Sequence, residues 1–231
     1  MNIPSFERVL IVGVGTGLSA SLARLFTREG LQVALAARRP DKLDALCAET
    51  GARAYACDAV KPEDVERLFL DLEGSMGAPD AVVYNASGRV RGPLADLAPE
   101  DVKRAIEVTA FGGFLVAREA VRRMLPRNHG AVLFTGASAS VKGYAQSAPF
   151  AMGKFALRGL AQSMARELGP QGIHVAHFVI DGGIAQPGRV PSGPDALLDP
   201  DAIASNYLHV MRQPRSAWTS EIELRPWVEK F

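Results

Sequence analysis

The chain has 231 residues, 48% of them apolar, with 26 basic and 25 acidic side chains. That is room for one large α/β domain with a real core, or two small ones, and the charge balance gives no electrostatic case for nucleic acid or an anionic membrane. No apolar run approaches the ~20 residues of a membrane span, and residues 1–8 lack a basic region followed by an apolar one, so no secretory leader is expected. Cys47 and Cys57 read as free thiols in a reducing cytoplasm, and four scattered histidines with no Cys-x-x-Cys suggest no metal site.

In chain order, Val9–Val12 is an apolar strand. It runs into Gly13-Val14-Gly15-Thr16-Gly17-Leu18-Ser19, and a helix follows with Leu18, Leu22, Leu25 and Phe26 on one face. Strand, glycine turn and helix present free N–H groups and the positive end of a helix dipole to a phosphate. Gly30 stops the helix. Leu31–Ala37 reads as a second strand, Asp41–Thr50 as a helix and Ala52–Cys57 as a third strand, followed by Asp58. Lys61–Met76 is helical, with Val65, Leu68, Phe69, Leu72 and Met76 on one face. Ala81–Asn85 is a fourth strand. One long helix is expected over about Pro99–Leu125, then a strand at Ala131–Phe134 and a small-residue loop over 135–148. A helix from Pro149 to Leu168, a sixth strand at Ile173–Ile180, a short helix at Ile203–Met211 and a last strand at Glu221–Leu224 complete the pattern. Strands alternating with helices, poor in charge, predict a doubly wound, Rossmann-type parallel sheet of about seven strands in three α/β/α layers, a single domain over 1–231. The Gly- and Pro-rich stretch 181–199 follows a strand's C-terminal end and reads as a lid. Trp218, Trp227 and Phe231 in the tail read as packing or subunit-contact residues. His174 and His177 read as core or sheet-edge hydrogen bonders.

Several ordered features resemble the short-chain dehydrogenase/reductase family over nearly the whole chain. Gly13 and Gly17 match two places of its Gly-x-x-x-Gly-x-Gly turn, with Ser19 in the third. Asp58 matches the aspartate that meets adenine. Tyr84-Asn85-Ala86-Ser87 is similar to Asn-Asn-Ala-Gly, Phe150-x-x-x-Lys154 falls where the family has Tyr-x-x-x-Lys, and Asp181-Gly182 falls where it has Pro-Gly. The resemblance implies an oxidoreductase acting on a small-molecule substrate, and a homodimer or homotetramer formed through the helices from Pro99 and Pro149. It also implies a dinucleotide held by Gly13, Gly15, Thr16, Gly17, Leu18, Asp58, Ala59, Asn85, Ala86, Ser87, Lys154, Asp181 and Gly182. Charge selects the dinucleotide. NAD sites place a carboxylate near the end of the second strand; here Ala37 is followed by Arg38 and Arg39, which suit a 2′-phosphate. NADP(H) is therefore expected, with NAD(H) as the alternative.

The proton-handling half departs from the family. Phe150 has no proton to give, and Thr109 stands where the family has an asparagine. Lys154 is retained. Ser138 is the candidate for the family's serine, and Tyr144, in the loop before the helix, is the candidate replacement acid or a wall of the substrate pocket. Two readings follow: an NADP(H)-dependent oxidoreductase working on a carbonyl or an activated double bond with a non-standard catalytic set, or a cofactor-binding protein without catalysis.

Overall fold

A computed structural model describes residues 4–229; Phe231 lies outside them. Seven strands form one parallel sheet in the order β3-β2-β1-β4-β5-β6-β9. They are β1 (Arg8–Val12), β2 (Gln32–Ala37), β3 (Arg53–Ala56), β4 (Ala81–Tyr84), β5 (Gly130–Thr135), β6 (Ile173–Ile180) and β9 (Glu221–Leu224). Two further strands, β7 (Gly183–Ile184) and β8 (Leu197–Leu198), pair with each other inside the segment 181–199. Residue alternation decides what each face buries. Val9, Ile11, Val83, Leu133 and Phe178 face α1 (Leu18–Arg28) and α7 (Pro200–Met211). Leu10, Val12, Val82, Tyr84, Val132 and Phe134 face α3 (Pro62–Ser75), α5 (Gly112–Met124) and α6 (Ala148–Leu168). Phe178 stacks on Tyr207 of α7 with centroids 3.6 Å apart, and the Tyr207 hydroxyl meets Thr135 Oγ1 at 2.8 Å. A buried phenol is thus satisfied at the sheet surface.

Most boundaries fall within a residue or two of the expected ones. The remaining helix on the first half of the sheet, α2, covers Asp44–Thr50 after a 3-10 turn at Pro40–Leu43. The expected single helix over Pro99–Leu125 is corrected: α4 (Pro99–Ile106) passes through a π-helical turn, Glu107–Phe111, into α5. The cause is a side chain from the sheet. The Tyr84 hydroxyl donates to the Val108 carbonyl. Gly112 allows this approach, since a Cβ there would stand 2.5 Å from the Tyr84 oxygen. One extra residue in the turn absorbs the mismatch.

Trp218 of the tail stacks on His174, with centroids 4.6 Å apart, whereas Trp227 is 81% exposed and donates to Asp195 Oδ2 at 3.2 Å. Both cysteines are free, Cys57 buried and Cys47 half-buried. Among the described residues no helix is long and apolar enough to cross a membrane.

Candidate functional site

The order places β1 between β2 and β4, the point where the chain's crossovers reverse direction. A crevice opens there at the strands' C-terminal ends. Its volume is about 400 Å³. The glycine turn (Gly13, Gly15), Arg38, Arg39, Lys42, Asp58, Ala59 and Asn85–Ser87 line it, with Cys57 at its floor. Nine of the sequence-expected cofactor residues therefore meet in one cavity. Leu18 is instead buried on the core face of α1, and Thr16 is exposed beside the turn. Burial pushes the Cys57 thiol up to about 12, which keeps it protonated.

Gly13 has φ +86°, and a Cβ on it would lie 2.5 Å from Ala86 Cα. The close approach of two loops, as much as the turn itself, demands glycine there. Above Gly15 the space is open. Gly17 precedes α1 as its N-cap and gives no side-chain cap, so the Leu18 and Ser19 N–H groups keep their hydrogen-bonding capacity. Ser19, the departure from the third glycine, is structural. Its Oγ donates to the Gly13 carbonyl at 3.2 Å and accepts from Asn85 Nδ2 at 2.6 Å. One hydroxyl thus ties the turn to the end of β4.

Arg38, Arg39 and Lys42 are exposed at the rim of the crevice, and none of the three has a carboxylate partner among the described residues. Lys42 was missed by sequence reasoning; its only signal was a third cation after the strand, brought back by the Pro40 turn. Asp58 is engaged: its Oδ2 accepts from Arg104 at 2.8 Å, and its N–H donates to Asp64 Oδ2 at 3.0 Å.

Lys154, expected beside the cofactor, does not line this crevice: it is 2% exposed and donates to the Thr135 carbonyl at 2.6 Å. Burial, and then the charge of Arg89, push its pKa down to about 7. Phe150, one turn earlier on α6, is buried against Ala137 and Ala139. The half-buried Ser138 lies between those two alanines. Arg89 was also missed. Its guanidinium carbon lies 4.3 Å from the centre of the Phe150 ring, a contact that no motif announces. Thr109 does not face a relay: its Oγ1 accepts the Gly88 N–H at 2.9 Å. Tyr144 is exposed, and Lys142 lies 5.8 Å from its ring centre. Asp181 is buried and its carboxylate is held by Arg225 at 2.8 Å and Lys142 at 3.5 Å. The segment 181–199 returns toward the glycine turn, with Gln186 Oε1 3.7 Å from where a Cβ on Gly17 would stand.

Behind this site, His177 Nδ1 meets Glu221 Oε2 at 3.1 Å, and Arg158 holds Glu221 with two bonds of 2.7 Å. Burial pushes His177 down to about 4 despite the carboxylate. His174 Nε2 meets the Thr219 carbonyl at 2.9 Å.

The sheet and its switch-point crevice define a Rossmann-like α/β protein. The family model for short chain dehydrogenases matches residues 7–188, and the chain belongs to that family. A solved short-chain dehydrogenase from Rhodopseudomonas palustris is 34% identical, with a TM-score of 0.84 over 97% of this chain and 100% of that one. A metagenomic short-chain oxidoreductase in complex with NADP is 25% identical, TM-score 0.84, over 96% and 98%. A mitochondrial borneol dehydrogenase of Lavandula x intermedia is 30% identical over 168 residues, 72% of this chain. That match spans 65% of the lavender protein's length.

Proposed function

We propose that the chain is an NADP(H)-dependent oxidoreductase that exchanges hydride with a carbonyl or an activated carbon–carbon double bond, using a non-standard catalytic set. The observation that carries the cofactor half is the trio of Arg38, Arg39 and Lys42, without carboxylate partners, at the rim of the crevice. A 2′-phosphate is the group such a rim recognises. The rest of the cradle fits a dinucleotide. The open space above Gly15 and the uncapped start of α1 suit a pyrophosphate. The metagenomic relative held with NADP supports the same reading.

The nicotinamide, when bound, supplies or accepts the hydride. What this chain adds is placement and charge. Lys154, fixed by Thr135, would hold the nicotinamide ribose and direct a donor toward the reacting oxygen. Ser138 offers a second donor, because its hydroxyl makes no hydrogen bond within the described protein. Phe150 excludes water and moves no proton. Such a site suits a reaction whose oxygen needs charge stabilisation more than immediate protonation, as an enolate does. Tyr144 stands second as a proton source, reached through movement of the exposed loop that carries it. The segment 181–199 is the lid. Exposed Phe111, Phe114, Met152 and Phe155 on the α5 and α6 side support a homo-oligomer. The free thiols suit a cytoplasmic protein.

A second reading, NADP(H) binding without catalysis, is favoured by Phe150 and by the commitment of the Thr109 hydroxyl to Gly88. Two measurements separate the readings. Arg38→Ala with Arg39→Ala should weaken NADPH binding ~10-fold or more and leave NADH binding within ~2-fold, since each lost charge-assisted bond contributes ~1.5–3 kcal/mol. Deuteride transfer from labelled NADPH to any member of a panel of ketones, aldehydes and enones establishes the enzyme. Full NADPH affinity with no transfer to any of them selects the binding protein.

A further inference from the structure

The loop after β4 carries two more cations, Arg89 and Arg91, and the segment 181–199 adds Arg189. None of the three has a carboxylate partner among the described residues. Arg189 reaches only the Ile184 carbonyl, at 3.4 Å, with its guanidinium 2.7 Å from where a Cβ on Gly183 would stand. It therefore rests on backbone just past the end of β6. Arg89 lies on the Phe150 ring. Asp181, just past the end of β6, is already held by Arg225 and Lys142.

The arrangement is built and held. The Gly88 N–H is fixed by Thr109 Oγ1 at 2.9 Å, and the Gly92 N–H donates to the Gln146 carbonyl at 3.2 Å. The segment between them, which presents Arg89 and Arg91, is thus fastened to α5's entry on one side and to the loop before α6 on the other. The positive charges also work against one another. Burial of its guanidinium, and then the charges of Arg91 and Arg189, push the Arg89 pKa down, and Arg89 in turn pushes Lys154 down. Holding like charges together costs stability unless an anion relieves it. The phosphates of a dinucleotide are already provided for in the crevice, by the α1 start and by Arg38, Arg39 and Lys42.

We propose that Arg89 is an anion subsite for the substrate, and that the substrate is a small organic acid whose carboxylate meets Arg89 while its carbonyl or conjugated double bond faces Lys154. This rests on the oxidoreductase reading and supplies its missing substrate class. The planar guanidinium can meet a carboxylate with two parallel bonds while one face stays on the Phe150 ring. The Phe150 ring serves here as a platform for the cation. A bound carboxylate also offsets the repulsion between Arg89 and Lys154, so a larger fraction of the lysine is protonated once the acid is in place.

The test uses the full chain, without cofactor and saturated with NADP⁺, titrated with acetate, acetamide and inorganic phosphate by ligand-observed NMR. Acetate should bind in both forms and its neutral isostere acetamide should not. Arg89→Gln should weaken acetate ~10-fold or more, by the loss of a charge-assisted pair. Arg89→Lys should retain part of the binding, and NADP⁺ affinity should stay within ~2-fold in both variants. Equal binding of acetate and acetamide overturns the proposal, as does acetate binding that ignores Arg89→Gln. Binding of phosphate alone overturns the acid class, and loss of NADP⁺ affinity in parallel with acetate assigns Arg89 to the cofactor instead. If the wild-type chain takes up no NADP⁺, the oxidoreductase reading fails by itself, and the cofactor-free titration still decides the anion subsite.

Discussion

Lys154 donates to the carbonyl of Thr135 at 2.6 Å, from a position almost wholly shut off from water. Its hydrogen-bond partner is a neutral oxygen, and the charge of Arg89 acts on it repulsively. A buried cation without an anion is expensive.

That cost has a pH signature. The folded pKa is about 7, and an unfolded lysine titrates near ~10.4. Between those values the unfolded chain binds more protons than the folded one, so stability rises with pH. From pH 7 to pH 9 the gain should be ~2 kcal/mol in urea unfolding without cofactor, and Lys154→Met should remove that rise. A rise that persists in the variant would mean that another group is responsible.

His177 should act in the acid range. Its folded pKa of about 4 lies below the ordinary histidine value. The contribution is fully present above ~6.5 and is lost as pH falls toward the folded value. Stability should drop by ~2 kcal/mol between pH 8 and pH 5, and the drop should shrink in His177→Gln. Identical acid profiles for the two proteins would contradict this.

Ser19→Ala removes the hydroxyl between Gly13 and Asn85. Leaving the Asn85 amide without its 2.6 Å partner should cost ~1–2 kcal/mol, read as a lower urea midpoint at unchanged slope. NADPH affinity should fall as well, because the turn and the end of β4 lose their tie. Unchanged stability and affinity would make the bond incidental.

Phe150→Tyr restores a phenol one turn before Lys154. A positioned acid contributes ~10²–10⁴ in rate, so carbonyl reduction with NADPH should rise by ~10² or more if Ser138 and Lys154 are otherwise competent. No gain on any carbonyl substrate would place the deficit in the pocket rather than at that one side chain.

Much of this was legible from residues alone. The strands reveal themselves because burial on both faces demands continuous apolar runs, and Val9–Val12 and Ile173–Ile180 satisfy that. The glycine turn, Asn85 and Lys154 are visible because each motif is local. The π turn at Glu107–Phe111 was not legible, since it depends on Tyr84 reaching Val108 across 24 positions. Nor was the role of Ser19, which looked like a lost glycine until Asn85 was found on it. Lys42 and Arg89 share the same obscurity: each matters through what it faces, and neither spacing nor periodicity encodes that. Asp181 looked available in sequence, yet its carboxylate is taken by Arg225 and Lys142.

The most direct test of the central claim is a fluorescence titration of the wild-type chain with NADPH and with NADH under identical ionic strength. Recognition of a 2′-phosphate by Arg38, Arg39 and Lys42 predicts NADPH binding at least ~10-fold tighter. Equal affinities, or tighter NADH binding, would contradict the account.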